Sequence, residues 1–287
     1  MIENPLSKFI GVGVILLSLN ITSAAQHSRF AVKLAAGLGQ YSVGDTNSFY
    51  KDFQQNTGHG PLDTFHAGWD SLGEILFFVN KRVAISLGSG FNQIKKNNNS
   101  VSWETGNYNY SETYDAKITS VPILLGVYYF FPLSPKTSFF LQGGFSYSLC
   151  WWSHKKHVMV KNPDIGYDYW YEEKEKADSH GPGFFFGLGM ELNISDHFAL
   201  AAGGYFDYAP ITNFKGEYIF TDPNIDLTDT PVQGHLYFYK YYNAYSEKWV
   251  TSLQITGRPV GSGAKDVEKA TVDLTGAALK VGIIIRF

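Results

Sequence analysis

Apolar and polar side chains alternate with a period of two through most of the chain beyond residue 29, in blocks. The clearest block is Val272–Phe287. Ala277, Leu279, Val281, Ile283, Ile285 and Phe287 form a wholly apolar row. Gly276, Ala278, Lys280, Gly282, Ile284 and Arg286 form the other row, which holds both charges and the glycines. A strict two-residue period puts successive side chains on opposite faces of a β-strand. Phe30–Tyr41 repeats the pattern, with Phe30, Val32, Leu34, Ala36 and Leu38 opposed to Ala31, Lys33, Ala35, Gly37 and Gly39. Further blocks lie at 71–79, 83–93, 117–131, 138–149, 184–194 and 198–208. The predicted strands number eight. Their connections alternate between short (80–82, 132–136, 195–197) and long (42–70, 94–116, 150–183, 209–271).

One apolar and one polar or glycine face per strand, with turns on one side and long loops on the other, is the pattern of an outer-membrane barrel. The predicted fold is therefore all-β: a closed, antiparallel, up-and-down transmembrane β-barrel of eight strands, with long extracellular loops and short periplasmic turns. Ten strands are the alternative, if 214–221 and 235–241 pair within the wall.

Composition supports this reading. The chain has 287 residues, 29 of them glycine; aromatics reach 16%, while charged residues stay at 17%, below the roughly 25% usual in soluble proteins. No apolar run reaches the about 18 residues of a spanning helix. Lys8 precedes the short apolar core Phe9–Leu19, and Ser23-Ala24-Ala25 offers small residues for cleavage. Residues 1–25 thus read as a secretion signal cleaved after Ala25, with 26–287 as the barrel. The net charge of -3 offers no footprint for nucleic acid. The single Cys150 permits no internal disulfide.

Val121-Pro-Ile-Leu-Leu-Gly-Val-Tyr-Tyr-Phe130, Phe184-Phe-Phe-Gly-Leu-Gly-Met-Glu-Leu192 and Asp273-Leu-Thr-Gly276 with Arg286-Phe287 resemble the outer-membrane β-barrel domain group of OmpA/OmpX-type small barrels. The resemblance spans nearly all of the mature chain. It implies a bacterial outer-membrane location, contact with outer-membrane lipid, and an assembly signal for the barrel-assembly machinery at Phe287, Ile285 and Ile283. Pro122 falls inside a strand, which requires a bulge or a missing ladder bond there.

Assigning faces by the apolar rows turns six membrane-level charges inward: Lys33, Glu74, Glu191, Asp207, Lys280 and Arg286. The lumen of an eight-stranded barrel is just wide enough for side chains to fill, and unpaired charges there are costly. Lys33, Lys280 and Arg286 are therefore expected to neutralise Glu74, Glu191 and Asp207 and to plug the lumen. Lys117 and Asp273 point outward but lie beyond the about 9–11 residues a spanning strand needs.

The predicted loops are aromatic. Trp151 and Trp152 are expected in the upper membrane girdle, and Tyr237–Tyr245 in a hairpin or a binding surface. His154 and His157 cannot share one strand face, so no metal site is expected and no cofactor is implied. No nucleophile elbow occurs, and no activity as an enzyme is expected. The expected role is envelope-structural or surface-interacting. A monomer would bind an extracellular protein or glycan ligand through its loops. The alternative is a narrow, porin-like passive transporter of small or hydrophobic solutes.

Overall fold

The computed structural model describes residues 29–57, 62–223, 231–243, 247–259 and 263–287. The predicted secretion segment with Ala25 lies outside the described residues, as do Gly58–Pro61 and Tyr245. In chain order the elements are β1 (Phe30–Tyr41), α1 (Asp45–Thr57), β2 (Ala67–Phe78), β3 (Val83–Thr105), β4 (Tyr108–Pro132), β5 (Thr137–Asn162), β6 (Tyr167–Asn193) and β7 (Phe198–Tyr208). They continue with β8 (Pro210–Ile211), β9 (Lys215–Thr221), β10 (Val232–Asn243), β11 (Lys248–Thr256), β12 (Ala264–Lys269), β13 (Val272–Asp273) and β14 (Gly276–Arg286).

Strands β1 to β7 pair antiparallel with their sequence neighbours. β14 lies between β7 and β1 and closes the ring. The wall thus has eight strands, so no edge is left in the membrane. The pairing behind the ten-strand alternative exists, because β9 meets β10 at Lys215–Tyr218 and Val232–His235. It lies outside the ring: β9 attaches to β6 beyond the level at which β7 leaves it. Among the described residues no helix is long and apolar enough to cross a membrane.

The wall is uneven. β1, β2, β7 and β14 have 12, 12, 11 and 11 residues, whereas β3, β4, β5 and β6 have 23, 25, 26 and 27. The expected loops 94–116 and 150–183 are therefore mostly strand, tall hairpins that turn at Gly106 and Gly166. Both glycines take positive φ, 61° and 64°, which side chains disfavour. β9, β10 and β11 extend the tall wall sideways. The expected loop 42–70 contains α1, and β2 starts at Ala67 rather than at residue 71. The last block splits into β13, which pairs with β8, and β14.

The short turns are capped by side chains. Asn80 Oδ1 accepts the N–H groups of Arg82 and Val83, and Ser134 Oγ accepts those of Lys136 and Thr137. At Pro122 the β3–β4 ladder skips from Ser89–Ile123 to Asn92–Ser120 without a register shift. The proline therefore produces a missing ladder bond and no bulge.

The interior forms stacked layers. Leu76, Tyr128, Phe130, Phe140 and Ile284 pack near the periplasmic end. Ala35, Leu72, Leu124, Phe185 and Tyr205 form the middle. Above the membrane lies a much larger core, in which Tyr50 and Phe53 of α1 meet Ile94, Tyr114, Ile118 and Trp152 of the tall wall and Leu236, Leu253 and Ile255 of β10 and β11. Trp152 is fully buried and donates from Nε1 to Thr46 Oγ1 at 3.2 Å. It thus departs from the expected girdle, while Trp151, one residue earlier, faces outward.

Candidate functional site in the lumen and head

Within the membrane the inward row supplies three ion pairs at three levels. At the floor Arg286 meets Glu191, and its Nη1 donates to Asn193 Oδ1 at 2.8 Å. In the middle Lys33 sits 3.6 Å from Glu74 with both side chains sealed from solvent. Lys33 Nζ donates to the hydroxyls of Tyr128 and Tyr205, each at 2.8 Å, and lies 4.7 Å from the Phe140 ring centre. The Tyr128 hydroxyl in turn donates to Glu74, so the charge is shared over a hydrogen-bonded chain. At the top Lys280 is 2.8 Å from Asp70, whose other oxygen accepts the Tyr41 hydroxyl at 2.6 Å.

Five of the six expected lumen charges thus enter ion pairs, with one change of partner. Asp207 lies on the inward row, opposite Gly276, but the carboxylate bound to Lys280 is Asp70. Asp70 falls into a predicted loop when the apolar row of β2 is read from residue 71. Its position, two residues before Leu72 and four before Glu74 on the same face, is the signal that marks it. The expected assembly residues lie on the outer, periplasmic side. Ile283 and Ile285 face outward, and the Phe287 N–H donates to the Phe30 carbonyl at 3.0 Å.

Charged buried groups recur above the membrane. His154 Nδ1 lies 3.5 Å from Glu175 Oε2, and Glu175 Oε1 accepts the Ile255 N–H at 2.8 Å, tying β6 to β11. Lys156 lies between Glu112 at 3.5 Å and Glu173 at 3.8 Å, and the Tyr114 hydroxyl donates to Glu112 at 2.6 Å. Burial favours a neutral Lys156, yet the two carboxylates outweigh it and hold its ammonium above the ordinary lysine range. Burial raises the Glu173 carboxyl, and Lys156 only partly offsets that. His157 lies on the opposite face, tilted against Trp170 at 5.6 Å. Among the described residues no three His, Cys, Asp or Glu side chains cluster as a metal site. Reading 150–183 as a loop hides the His154–Glu175 contact. Continuing the inward parity of β5 and β6 exposes it.

The hairpin tips carry an aromatic strip on the inner face. Trp103 stacks on Tyr110 at 5.4 Å, Tyr108 meets Tyr167 at 6.3 Å, and Tyr167, Tyr169, Tyr171 and Phe220 follow in contact. The Tyr169 hydroxyl donates to Asp222 at 2.6 Å. Tyr237–Asn243 is strand and pairs antiparallel with β11, the hairpin of the two expectations.

The family model described as "Outer membrane protein beta-barrel domain" matches residues 12–229. No curated protein matches. Among solved structures, surface protein A of Neisseria (NspA) is 12% identical, with 91% of this chain and 98% of that chain covered and a TM-score of 0.36. Ail, the attachment invasion locus protein of Yersinia pestis, is 11% identical over 91% of this chain and 100% of its own, with a TM-score of 0.31. A major outer membrane protein from Thermus thermophilus is 14% identical, covers 90% of this chain and 99% of its own, and gives a TM-score of 0.38.

Proposed function

The chain belongs to the outer membrane protein beta-barrel domain family and resides in the bacterial outer membrane, and from that premise we propose that it is a closed, non-enzymatic anchor that presents a folded head for contacts at the cell surface. The observation that supports this reading is the layering of side chains across the interior. Three levels of ion pairs and two side-chain clusters occupy the membrane section, and α1 is built into the core above them. A solute path would have to break buried ion pairs, and removing one partner of such a pair costs about 3–5 kcal/mol. The head offers rigid contact surface at its tips, where Tyr108, Tyr167 and Trp170 are exposed. Aromatic side chains of this kind suit protein or glycan partners because they bring large area at little entropic cost.

Planar-bilayer recording of the purified monomer tests the reading. The expected result is no steady conductance. A steady ohmic conductance that disappears in Glu74→Gln would replace the anchor with a narrow transporter. Trimming the β3–β4 and β5–β6 hairpins to the membrane edge should leave a heat-modifiable barrel. The trimmed protein should lose the full chain's binding to arrayed glycans and extracellular proteins; unchanged binding would refute the head's role.

A further inference from the structure

The outer face of the tall wall carries an arrangement that neither the filled lumen nor the head core explains. Lys95 of β3 and Lys117 of β4 are direct cross-strand partners, and both point outward and are exposed. Like charges placed opposite each other destabilise a sheet. Among the described residues no carboxylate lies within 4.0 Å of either ammonium, although the nearby lysines have found partners: Lys96 with Asp63 at 2.9 Å, and Lys155 and Lys174 with Glu172 at 2.5 Å each. A second like-charge cross-strand pair, Lys155 and Lys174, stands further up the wall. Here the single carboxylate of Glu172 serves two ammoniums. Lys176 is a fifth cation on this face, opposite Glu217 of β9. Asp115, on the same row and opposite Lys155, accepts the Asn98 N–H at 2.7 Å. A cleft of about 300 Å³ lies on this face, lined by the four cations Lys117, Lys155, Lys174 and Lys176 against the two carboxylates Asp115 and Glu175.

The height of the pair identifies its neighbour. Lys95 lies 12 residues beyond the start of β3 at Val83. A strand rises about 3.3 Å per residue and tilts by about 40°, so Lys95 stands about 30 Å above the periplasmic end, just past an apolar band about 25 Å tall. The outward row directly below is Gln93, Thr119 and the exposed Trp151, and below that Phe91, Val121 and Leu149. The lysines thus begin where hydrocarbon gives way to headgroups, and lysine clusters at that level attract anionic lipid.

We propose that the Lys95–Lys117 pair, continued by the cleft above it, binds the phosphate groups of glycolipid in the outer leaflet. An anion between the two ammoniums would turn a repulsive pair into a bridged one. The inference rests on the membrane placement of the chain and is independent of the surface-contact reading.

The test uses the full chain reconstituted in nanodiscs of bisphosphorylated lipid A and then moved into neutral detergent, with retained lipid counted by native mass spectrometry. The wild-type chain should retain lipid A and release its dephosphorylated form. K95Q/K117Q should retain at least fivefold less, and K95R/K117R should restore retention. Lys117→Glu supplies a second readout. It should unfold later than wild type in neutral detergent, where it pairs with Lys95, and earlier than wild type in lipid A. Heat-modifiable migration identifies any variant that fails to fold, in which case Lys117→Gln alone carries the comparison. Equal retention by wild type and K95Q/K117Q, or equal retention of the dephosphorylated lipid, would each overturn the proposal.

Discussion

Two halves of the same strands obey opposite rules. In the lower half of β5, Phe139, Leu141, Phe145, Tyr147, Leu149 and Trp151 face outward, and Gln142, Gly144, Ser146 and Ser148 face the lumen. In the upper half, Ser153, Lys155 and His157 face outward, and Cys150, Trp152, His154 and Val158 face in. β4 makes the same exchange. Val121 is the last outward apolar residue before Thr119, Lys117 and Asp115, whereas Ser120 hands the inner row to Ile118, Ala116 and Tyr114. The backbone ladder continues without a register shift through the change in β5 and β6. Only the solvent has changed, from hydrocarbon to water. A ladder satisfies its own polar groups in either medium; the side chains must choose, and they choose by what lies outside.

That comparison can be broken or sharpened by measurement. The largest effect is expected inside the membrane. Lys33→Met strands Glu74 without its cation and should cost about 3–5 kcal/mol of unfolding free energy in lipid. The double change K33M/E74M should recover most of that loss. A Lys33→Met protein as stable as wild type would mean that the charged layer does not hold the lower half together.

In the upper half the apolar residue to remove is the inward one. Trp152→Ala should cost about 3–5 kcal/mol, seen as rapid proteolysis of the head on a barrel that still migrates heat-modifiably. Trp151→Ala, on the outer face, should cost less than about 1 kcal/mol. Similar losses from the two neighbours would mean that the strand does not exchange its faces at this level.

The next pair carries charge across the boundary on the outer row. Phe145→Lys places an ammonium against lipid and should cost about 2–4 kcal/mol. Lys155→Leu, ten positions along the same row, should stay within about 0.5 kcal/mol. Equal penalties would place both residues in the same medium.

The smallest effect is a pH dependence confined to the head. Burial raises the Glu173 carboxyl above the usual 4.5, opposed by Lys156 and His154 and reinforced by Glu175 and Glu112. A raised folded-state value means that the group's contribution is fully present below the unfolded value and is lost as pH rises through the folded one. Head stability, read by protease midpoint, should therefore increase as pH falls from neutral toward 4.5, by less than about 1.4 kcal/mol for each pH unit. Glu173→Gln should flatten the trend.

The exchange of faces also explains how far the sequence can be read. β1 and β7 are legible end to end, because both stop before water takes over. β3, β4, β5 and β6 are cut short at residues 93, 117, 149 and 184, where the apolar residues leave one row for the other and the period is interrupted. Trp152 and the His154–Glu175 contact escape a sequence reading for that reason, whereas Asp70 escapes because the apolar row of β2 is read only from residue 71. α1 hides differently. Its sequence is mostly polar, with Phe49, Tyr50 and Phe53 as its apolar residues, too few to announce a helix before the surrounding wall is known. The inward charges are legible because an outward charge at membrane depth is costly, whichever acid each base selects.

The shared core above the membrane acts as a mechanical fastener. Its residues come from every segment between the short turns: α1 and Phe65 from the first, Ile94 and Tyr114 from the second, Trp152 and Ala177 from the third, Phe214, Leu236 and Leu253 from the fourth. The whole of that core can set only when all four segments have crossed. Once it has set, it is a knot of packed side chains on one side of a narrow ring. Like the upset end of a rivet, it should resist withdrawal, since pulling a strand that feeds this core back through the ring must first unpack it.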